Sequence, residues 1–270
     1  AGGTNNALNM GTGAVGLGTA SGTTRTINVN NAGKLTLGGI ISDGTTANSI
    51  TKANSGTLVL SGANAYTGAT SLTGGTLTLT NGSALGANVV GNNVTISANT
   101  TFNYAASANA PLNIGGNMAI TAGTTTIGTS IGSAPTSAML NVAGNATISN
   151  AAHRINIFGI SGVTPTAGTN TYTLIHGVGG DSNLAPATAP TLNSVYNNTN
   201  FTVGGFTRSA TDLQVDITAA SPLAVAYWRG GLSNGNISNA NQTWAASNGS
   251  TASNWSATAP NGAAQPLIPG

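Results

Sequence analysis

The sequence contains no cysteine and no glutamate, and it has only six basic and four acidic residues in a chain of 270. Without cysteine, the chain cannot form disulfides, thiolate metal sites or a cysteine nucleophile. The bases are scattered from Arg25 to Arg229, so they form no cluster that could neutralise nucleic-acid phosphates. No apolar run is long enough to span a membrane as a helix. We therefore expect no nucleic-acid partner and no membrane span in this segment.

Four small or polar residue types dominate the composition. Glycine, threonine, asparagine and serine together supply 140 of the 270 residues. Such bias is typical of disordered chains, but 39% of the residues are hydrophobic and they fall in short alternating runs. Threonine, valine and isoleucine favour strands, while glycine and asparagine favour left-handed corners. Because no segment carries apolar residues at helical spacing, the sequence predicts an ordered all-β chain with almost no helix.

One short strand occurs twice in close succession. The sequence GTLVLS at residues 56–61 returns nineteen positions later as GTLTLT. Side chains alternate along a strand, so Leu58 and Leu60 share one face, as do Leu77 and Leu79. An offset of nineteen fits one coil made of three short strands. If successive coils stack in parallel, Leu58 lies beside Leu77 and Leu60 beside Leu79, about 4.8 Å apart.

Similar alternation recurs along the chain and predicts one continuous column of buried aliphatic side chains. Its members are Leu58, Leu60, Leu77, Leu79, Val94, Ile96, Leu112, Ile114, Leu140, Val142, Ile155 and Ile157, preceded by Leu35 and Leu37. Periods near 20 residues with Gly and Asn corners indicate a parallel β-solenoid, or β-helix. We expect roughly nine coils in residues 1–178, forming an elongated prism about 40 Å long. A β-sandwich is the alternative, because it also needs many short alternating strands.

The stretch around this doubled strand carries an extended motif. It begins at Lys52 and reads L-x-L-S-G-x-N-x-Y-T-G-x-T, followed by G-T-L-x-L. The motif positions are Gly56, Thr57, Ser61, Gly62, Asn64, Tyr66, Thr67, Gly68, Thr70, Gly75 and Thr76. This run resembles the autotransporter-associated β-strand repeat of long bacterial surface proteins, whose secreted passenger regions are thought to form β-solenoids. Asn54 departs from the glycine usual there, but asparagine also tolerates a left-handed corner.

The C-terminal part resembles such proteins less sharply and suggests three regions. Residues 171–175 and 213–217 look like a segment that closes a run of coils. A Trp-bearing segment follows, which looks like the opening of a further module, and its aromatic residues are Tyr227, Trp228, Trp244 and Trp255. We therefore expect solenoid coils over 1–178, a closing β segment over 179–221, and an inter-unit segment over 222–270. Both ends of the sequence are expected to be cut from a longer tandem array or to meet neighbouring subunits.

The resemblance implies a secreted, cell-surface structural protein that extends a stalk or fibre. A terminal coil exposes unpaired backbone groups and half of its apolar core, so something must cover it. The expected partners are copies of the chain or adjacent repeats of the same chain, joined end to end. The alternative is a carbohydrate-binding adhesin module. In that case Tyr227, Trp228, Trp244 and Trp255 would form a sugar-stacking platform for a surface polysaccharide instead of an inter-unit contact.

Catalytic and metal sites are poorly supported by the remaining residues. Asp212 and Asp216 are the only acids close in sequence, and their Cα atoms would lie about 13 Å apart along a strand. His153 and His176 have none of the spacing typical of zinc ligands. The G-x-G-x-x-G pattern at residues 11–16 lacks a preceding buried strand and a following helix. We expect no enzymatic activity, no cofactor and no metal site.

Overall fold

The fold was analysed in a computed structural model. It describes residues 6–19, 22–105, 110–121, 123–132, 138–158, 167–196 and 201–219, together with the backbone of two short strands at 227–228 and 255–256. Every regular element in these residues is a β-strand. None of the described segments forms a helix long and apolar enough to cross a membrane.

The strands lie on the three faces of a coil. The first face is a parallel sheet in the order β1 (Ala7–Asn9), β4 (Lys34–Leu37), β7 (Thr57–Leu60), β9 (Thr76–Leu79), β11 (Thr101–Tyr104), β14 (Thr126–Thr129), β17 (Arg154–Ile157) and β19 (Thr191–Val195). The second face carries the pair β2 (Val15–Gly16) and β5 (Ile41–Ser42), and then the sheet β12 (Leu112–Ile114), β15 (Leu140–Val142), β18 (Gly168–Gly177), β21 (Asp212–Ala219) and β20 (Phe201–Arg208).

The third face is a six-stranded parallel sheet. Its order is β3 (Thr24–Asn28), β6 (Ser49–Ala53), β8 (Thr70–Leu72), β10 (Val94–Ile96), β13 (Met118–Ile120) and β16 (Ala146–Ile148). A separate antiparallel pair joins β22 (Tyr227–Trp228) to β23 (Trp255–Ser256). Up to β19 the chain visits the first, second and third faces in turn, and the paired strands of neighbouring coils are parallel. The predicted parallel β-solenoid is confirmed, and the β-sandwich alternative is wrong.

Strand alternation places the aliphatic side chains in the interior. Leu58 pairs with Leu77 and Leu60 with Leu79 in the parallel register expected from the sequence. All four side chains are essentially inaccessible to solvent. Continuous burial of such side chains is the main stabilising contribution to a solenoid, because each coil covers the apolar surface of its neighbours.

The expectation of one continuous aliphatic column is wrong, since the predicted residues lie in columns on three different faces. Leu58, Leu60, Leu77, Leu79, Ile155 and Ile157 lie on the first face, Leu112, Ile114, Leu140 and Val142 on the second, and Val94 and Ile96 on the third. Val94 neighbours Thr70 and Met118 instead of Leu77. On the first face, the neighbour of Leu77 is Phe102.

The coil is also longer than nineteen residues in most places. The paired residues Leu8, Leu35, Leu58, Leu77, Phe102, Ile127 and Ile155 on the first face are separated by 27, 23, 19, 25, 25 and 28 residues. Loops between the short strands account for the extra length. Seven described strands of this face precede residue 178, which gives six full turns in place of the nine expected.

Parallel pairing continues beyond residue 178, where the coils were expected to end. Asn183 forms a parallel bridge with Thr147 on the third face, and β19 adds to the first face. The segments 171–175 and 213–217, expected to close the coils, lie in β18 and β21 and pair with each other in antiparallel fashion. Of the expected inter-unit residues, Trp244 lies outside the described residues, and only the backbone of the other three is described.

Candidate functional site: the repeat motif and the ends of the solenoid

The polar residues of the motif bond one coil to the next. Asn64 Oδ1 accepts the backbone N–H of Ile41 at 2.8 Å in the preceding coil, and its Nδ2 donates to Ala84 O at 2.7 Å in the following one. Thr67 donates both its N–H and its hydroxyl to Asp43 Oδ2, each at 2.6 Å. These side chains therefore satisfy the hydrogen-bonding groups of the neighbouring coils along a stretch of the motif that forms no strand.

The tyrosine of the motif is a core residue with one polar contact. Tyr66 is fully buried, and its hydroxyl lies 2.7 Å from Thr70 Oγ1. Burial raises the pKa of Tyr66, because the charged form would lose its hydration. Thr70 itself points inward from β8 and is buried. The pair thus packs the corner between the second and third faces, and neither hydroxyl is open to a ligand.

Two motif glycines are required by backbone geometry. A Cβ on Gly68 would overlap the backbone carbonyl of Asn48 in the preceding coil. Gly75 has a φ of 66°, the left-handed region that glycine occupies without strain. The glycines therefore permit close stacking of the corners, and the motif as a whole encodes coil-to-coil contact.

Lys52 occupies an inward position in the interior of the third face. Its column neighbours are Ile27 and Leu72, and its side chain is fully buried. The ammonium Nζ donates to three backbone carbonyls, those of Ala53 at 2.8 Å, Asn54 at 2.7 Å and Gly74 at 2.9 Å. Burial lowers the pKa of Lys52. From the interior, the lysine thus links the corner at Asn54 to the corner of the next coil at Gly74. Its position in the sequence motif does not indicate this role.

A ladder of asparagines, not predicted from the sequence, runs along one corner of the third face. Asn93 Oδ1 accepts the backbone N–H of Asn117 at 2.7 Å, and Asn117 Oδ1 accepts that of Asn145 at 2.8 Å. Asn145 Oδ1 in turn accepts the N–H of Asp181 at 3.2 Å. A recurrent signal does exist in the sequence, because a glycine directly precedes each of Asn117, Asn145 and Asp181. The glycine matters: a Cβ on Gly144 would overlap Asn117 Oδ1.

The ionisable residues considered for catalysis have structural partners. His176 Nδ1 lies 2.8 Å from Asp212 Oδ1, and Asp216 Oδ1 accepts the hydroxyl of Thr171 at 2.7 Å. Burial of Asp212 opposes its ionisation, but hydrogen bonds from Thr211 and His176 hold the pKa of its carboxyl below the usual value. Asp212 and Asp216 are four residues apart on one strand of a hairpin, each bonded across to β18. The arrangement fixes the pairing of two antiparallel strands.

His153 is buried, and only one of its two ring nitrogens has a hydrogen-bond partner among the described residues. Its Nε2 lies 3.1 Å from Ser149 O, so this nitrogen carries the proton and donates it to the carbonyl. Its Nδ1 has no hydrogen-bond partner among the described residues. Burial lowers the pKa of His153, and the Ser149 carbonyl opposes this shift only in part. Within the described residues, His, Cys, Asp and Glu side chains form no group of three that could hold a metal ion.

One end of the described solenoid exposes its interior. Strands β1, β2 and β3 are the outermost on the three faces, and no described strand pairs with their free edges. Leu8, which neighbours Leu35 in an inward column, is 58% exposed, and Met10 is 57% exposed. Arg25 occupies the inward position next to Ile50 and donates to Leu17 O at 2.7 Å. A charge at such an inward position is a known means of limiting indiscriminate pairing at an edge.

At the other end of the described solenoid the third face is covered by a turn, whereas β19 pairs with no further described strand and Leu192, the neighbour of buried Ile155, is 41% exposed. The turn between β20 and β21 lies against the chain that follows the last bridge of the third face, where the N–H of buried Leu184 donates to Ala210 O at 3.0 Å. Arg208 donates to Pro186 O in the same segment. Proline has no N–H to leave unpaired, so this segment ends the ladder without presenting a full set of donors.

The stretch that carries the repeat motif is similar to one known family. Residues 50–79 match the passenger-associated-transport-repeat family. These thirty residues are similar to a passenger-associated-transport repeat. The match spans β6 to β9 and so includes Lys52, Asn64, Tyr66 and the two stacked leucine pairs. The resemblance inferred from the sequence is confirmed for this segment. No curated protein and no solved structure matches the chain.

Proposed function

We propose that the chain is a structural segment of a secreted bacterial surface protein and that it extends a stalk or fibre. We also propose that it joins end to end with further coils of the same kind. The passenger-associated-transport repeat supports a secreted or surface location. The polar groups of that repeat are engaged between coils, which favours a structural role over binding or catalysis by the motif itself. The proposed role is non-enzymatic.

The exposed coil formed by β1, β2 and β3 is the observation that carries the proposal. Within the part of the chain that the structure describes, it presents three free strand edges and the apolar side chains of Leu8 and Met10 at one end of a continuous core. An incoming coil would pair with these edges and extend each inward column by one residue, as every coil already does for the next. Because the two ends of the described solenoid present different strands, the proposed junction is heterologous and directional.

Electron microscopy of the purified protein at high concentration tests this junction. We expect rods or arrays longer than one solenoid in the wild-type sample, and their loss in the variant Leu8→Asp/Met10→Asp, which places two charges on the exposed core. Val90→Asp is the matched control, because Val90 is 95% exposed in a loop remote from the β1–β3 edge and its replacement should leave the rods intact. Discrete compact particles of wild-type protein at every concentration would contradict the proposal.

A further inference from the structure

One inward column runs through the whole first face without a break. It begins at Leu8 beside Leu35, has one member on each of the eight strands, and ends where Leu192 lies beside Ile155. Its two end members are exposed, Leu8 by 58% and Leu192 by 41%, because each has a described neighbour on one side only. The column therefore ends in an exposed leucine at both ends of the described solenoid.

A second inward column accompanies the first. In the same register, Met10 is its first member, and Val195 is its last and lies beside Ile157. Met10 is 57% exposed, and Val195 is only partly buried. A strand that paired with the first face at either end would therefore extend two apolar columns at once.

The outer edge of β1 has backbone groups available for a further strand. The carbonyl of Asn6 and the N–H of Met10 form hydrogen bonds with β4 at 2.9 and 3.0 Å. Because alternate residues of a strand direct their backbone groups to opposite sides, those of Ala7 and Asn9 face the other edge. No described strand pairs with that edge.

The outer edge of β19 offers the matching groups. The N–H groups of Thr191 and Tyr196 donate to the coil of β17 at 3.0 and 2.7 Å, so the backbone groups of Leu192 and Val195 face away from that coil. Inward residues face the free edge of β19, just as the inward residues of β1 face β4. The edge of β19 is therefore equivalent to the edge with which β1 binds β4.

We propose that β19 of one molecule pairs in parallel with β1 of a second copy of the chain, with Leu192 beside Leu8 and Val195 beside Met10. The inference rests on the proposed end-to-end junction and names its partner. A second copy fits because both edges belong to the same two columns, with apolar side chains exposed at the same two positions. Pairing covers both leucines, as each coil already covers the next.

The β20–β21 hairpin limits this contact to the first face. On the second face, β21 and β20 extend the sheet two strands beyond β18, so β20 occupies the place that β2 of the second copy would take. The second copy therefore tilts away from β20, and the two solenoid axes meet at an angle. A pair of short strands contributes little stability by itself. We expect the association only at high protein concentration.

Disulfide trapping tests the proposed register directly, because the chain has no cysteine of its own. Paired residues on neighbouring strands lie about 4.8 Å apart, within the Cα separation that a disulfide spans. Leu8→Cys and Leu192→Cys proteins, mixed at high concentration with oxidised glutathione, should form a covalent dimer in which mass spectrometry finds these two positions joined. Met10→Cys with Val195→Cys is the second pair, used if circular dichroism shows that a leucine variant does not fold.

The matched control is Leu8→Cys mixed with Val90→Cys, because Val90 is 95% exposed in a loop remote from both edges. Its yield measures chance collisions, and the predicted pair should exceed it several-fold. A yield no higher than the control would overturn the inference. Dimers of Leu8→Cys alone or of Leu192→Cys alone in the same yield would also overturn it, since they would indicate contacts between like ends.

The fate of this inference can be separated from that of the proposed function. Rods of wild-type protein in electron microscopy, without a disulfide between Leu8→Cys and Leu192→Cys, would overturn the inference and leave the end-to-end junction standing with another mate. Leu192→Asp gives an independent readout, because a charge on the β19 edge should abolish the rods as Leu8→Asp/Met10→Asp does. Rods that persist in Leu192→Asp would count against β19 as the partner.

Discussion

The side-chain amide oxygen of Asn64 accepts the backbone N–H of Ile41 at 2.8 Å across the boundary between two coils. The amide nitrogen of the same residue donates to Ala84 O at 2.7 Å in the coil beyond. One buried side chain thus bridges three successive coils in a stretch where its own coil forms no strand. This geometry gives the asparagine of the repeat motif a purely structural explanation.

Replacing Asn64 by alanine should destabilise the fold substantially. The substitution leaves the Ile41 N–H and the Ala84 carbonyl without partners in a buried place, and each unpaired group costs about 1–3 kcal/mol. We expect the free energy of unfolding to fall by about 2–4 kcal/mol in urea denaturation. Asn88→Ala is the control, because Asn88 is exposed and should tolerate the change within about 0.5 kcal/mol. Equal stability of the two variants would show that the two hydrogen bonds of Asn64 contribute nothing to stability.

Acid should destabilise the protein through His153. Its pKa is lowered by burial, so between its folded pKa and the unfolded value near 6.5 the unfolded chain binds more protons. Stability therefore rises with pH through this window and falls as the pH drops below about 6.5. The physical cause is that an imidazolium would place a second N–H at Nδ1, which has no acceptor among the described residues. We expect a lower urea midpoint at pH 5 than at pH 7.5.

The variant His153→Gln separates this effect from the general effect of acid. Glutamine does not titrate, so the difference in midpoint between pH 5 and pH 7.5 should shrink relative to the wild type. A difference of unchanged size in the variant would assign the acid sensitivity to other groups.

Strand alternation was the part of the fold that the sequence could predict, because a period of two is a local property. Leu58 and Leu60 had to share a face, and their near-identical copy nineteen residues later identified the next coil directly. The placement of Val94 failed for a physical reason. The coil of 25 residues from Leu77 to Phe102 contains strands on more than one face, and strands on different faces carry the same alternation. A step of seventeen residues from Leu77 therefore led to another face of the solenoid.

The corner contacts could be predicted less well than the strands. Each of Asn93, Asn117 and Asn145 is, by itself, an ordinary corner residue, and only the alignment of coils shows that each side chain caps the next. The buried position of Lys52 likewise depends on carbonyls contributed by two coils. Such contacts depend on the length of every intervening loop, which local patterns do not determine.

Gly144 should not tolerate a side chain. Its Cβ would overlap Asn117 Oδ1, the atom that accepts the N–H of Asn145, so alanine must break one rung of the asparagine ladder. We expect Gly144→Ala to lower the free energy of unfolding by about 1–3 kcal/mol. Gly13→Ala is the matched control, because a Cβ there meets no atom within 4 Å and its φ is not positive. That variant should be neutral or slightly stabilised, by up to about 1 kcal/mol.

Replacing Lys52 tests whether a buried ammonium group that is hydrogen-bonded only to backbone carbonyls stabilises the solenoid. In Lys52→Met the apolar stem is retained, but the carbonyls of Asn54 and Gly74 lose the donor that approaches them at 2.7 and 2.9 Å. Burial of the charge is costly and opposes this loss, yet hydrogen bonds from charged donors contribute about 1.5–3 kcal/mol each. We therefore expect a net decrease of about 2–4 kcal/mol in the free energy of unfolding. Lys34→Met, at an exposed lysine on the first face, should change it by less than about 0.5 kcal/mol. A Lys52→Met variant as stable as the wild type would mean that removing the desolvated charge offsets all three hydrogen bonds.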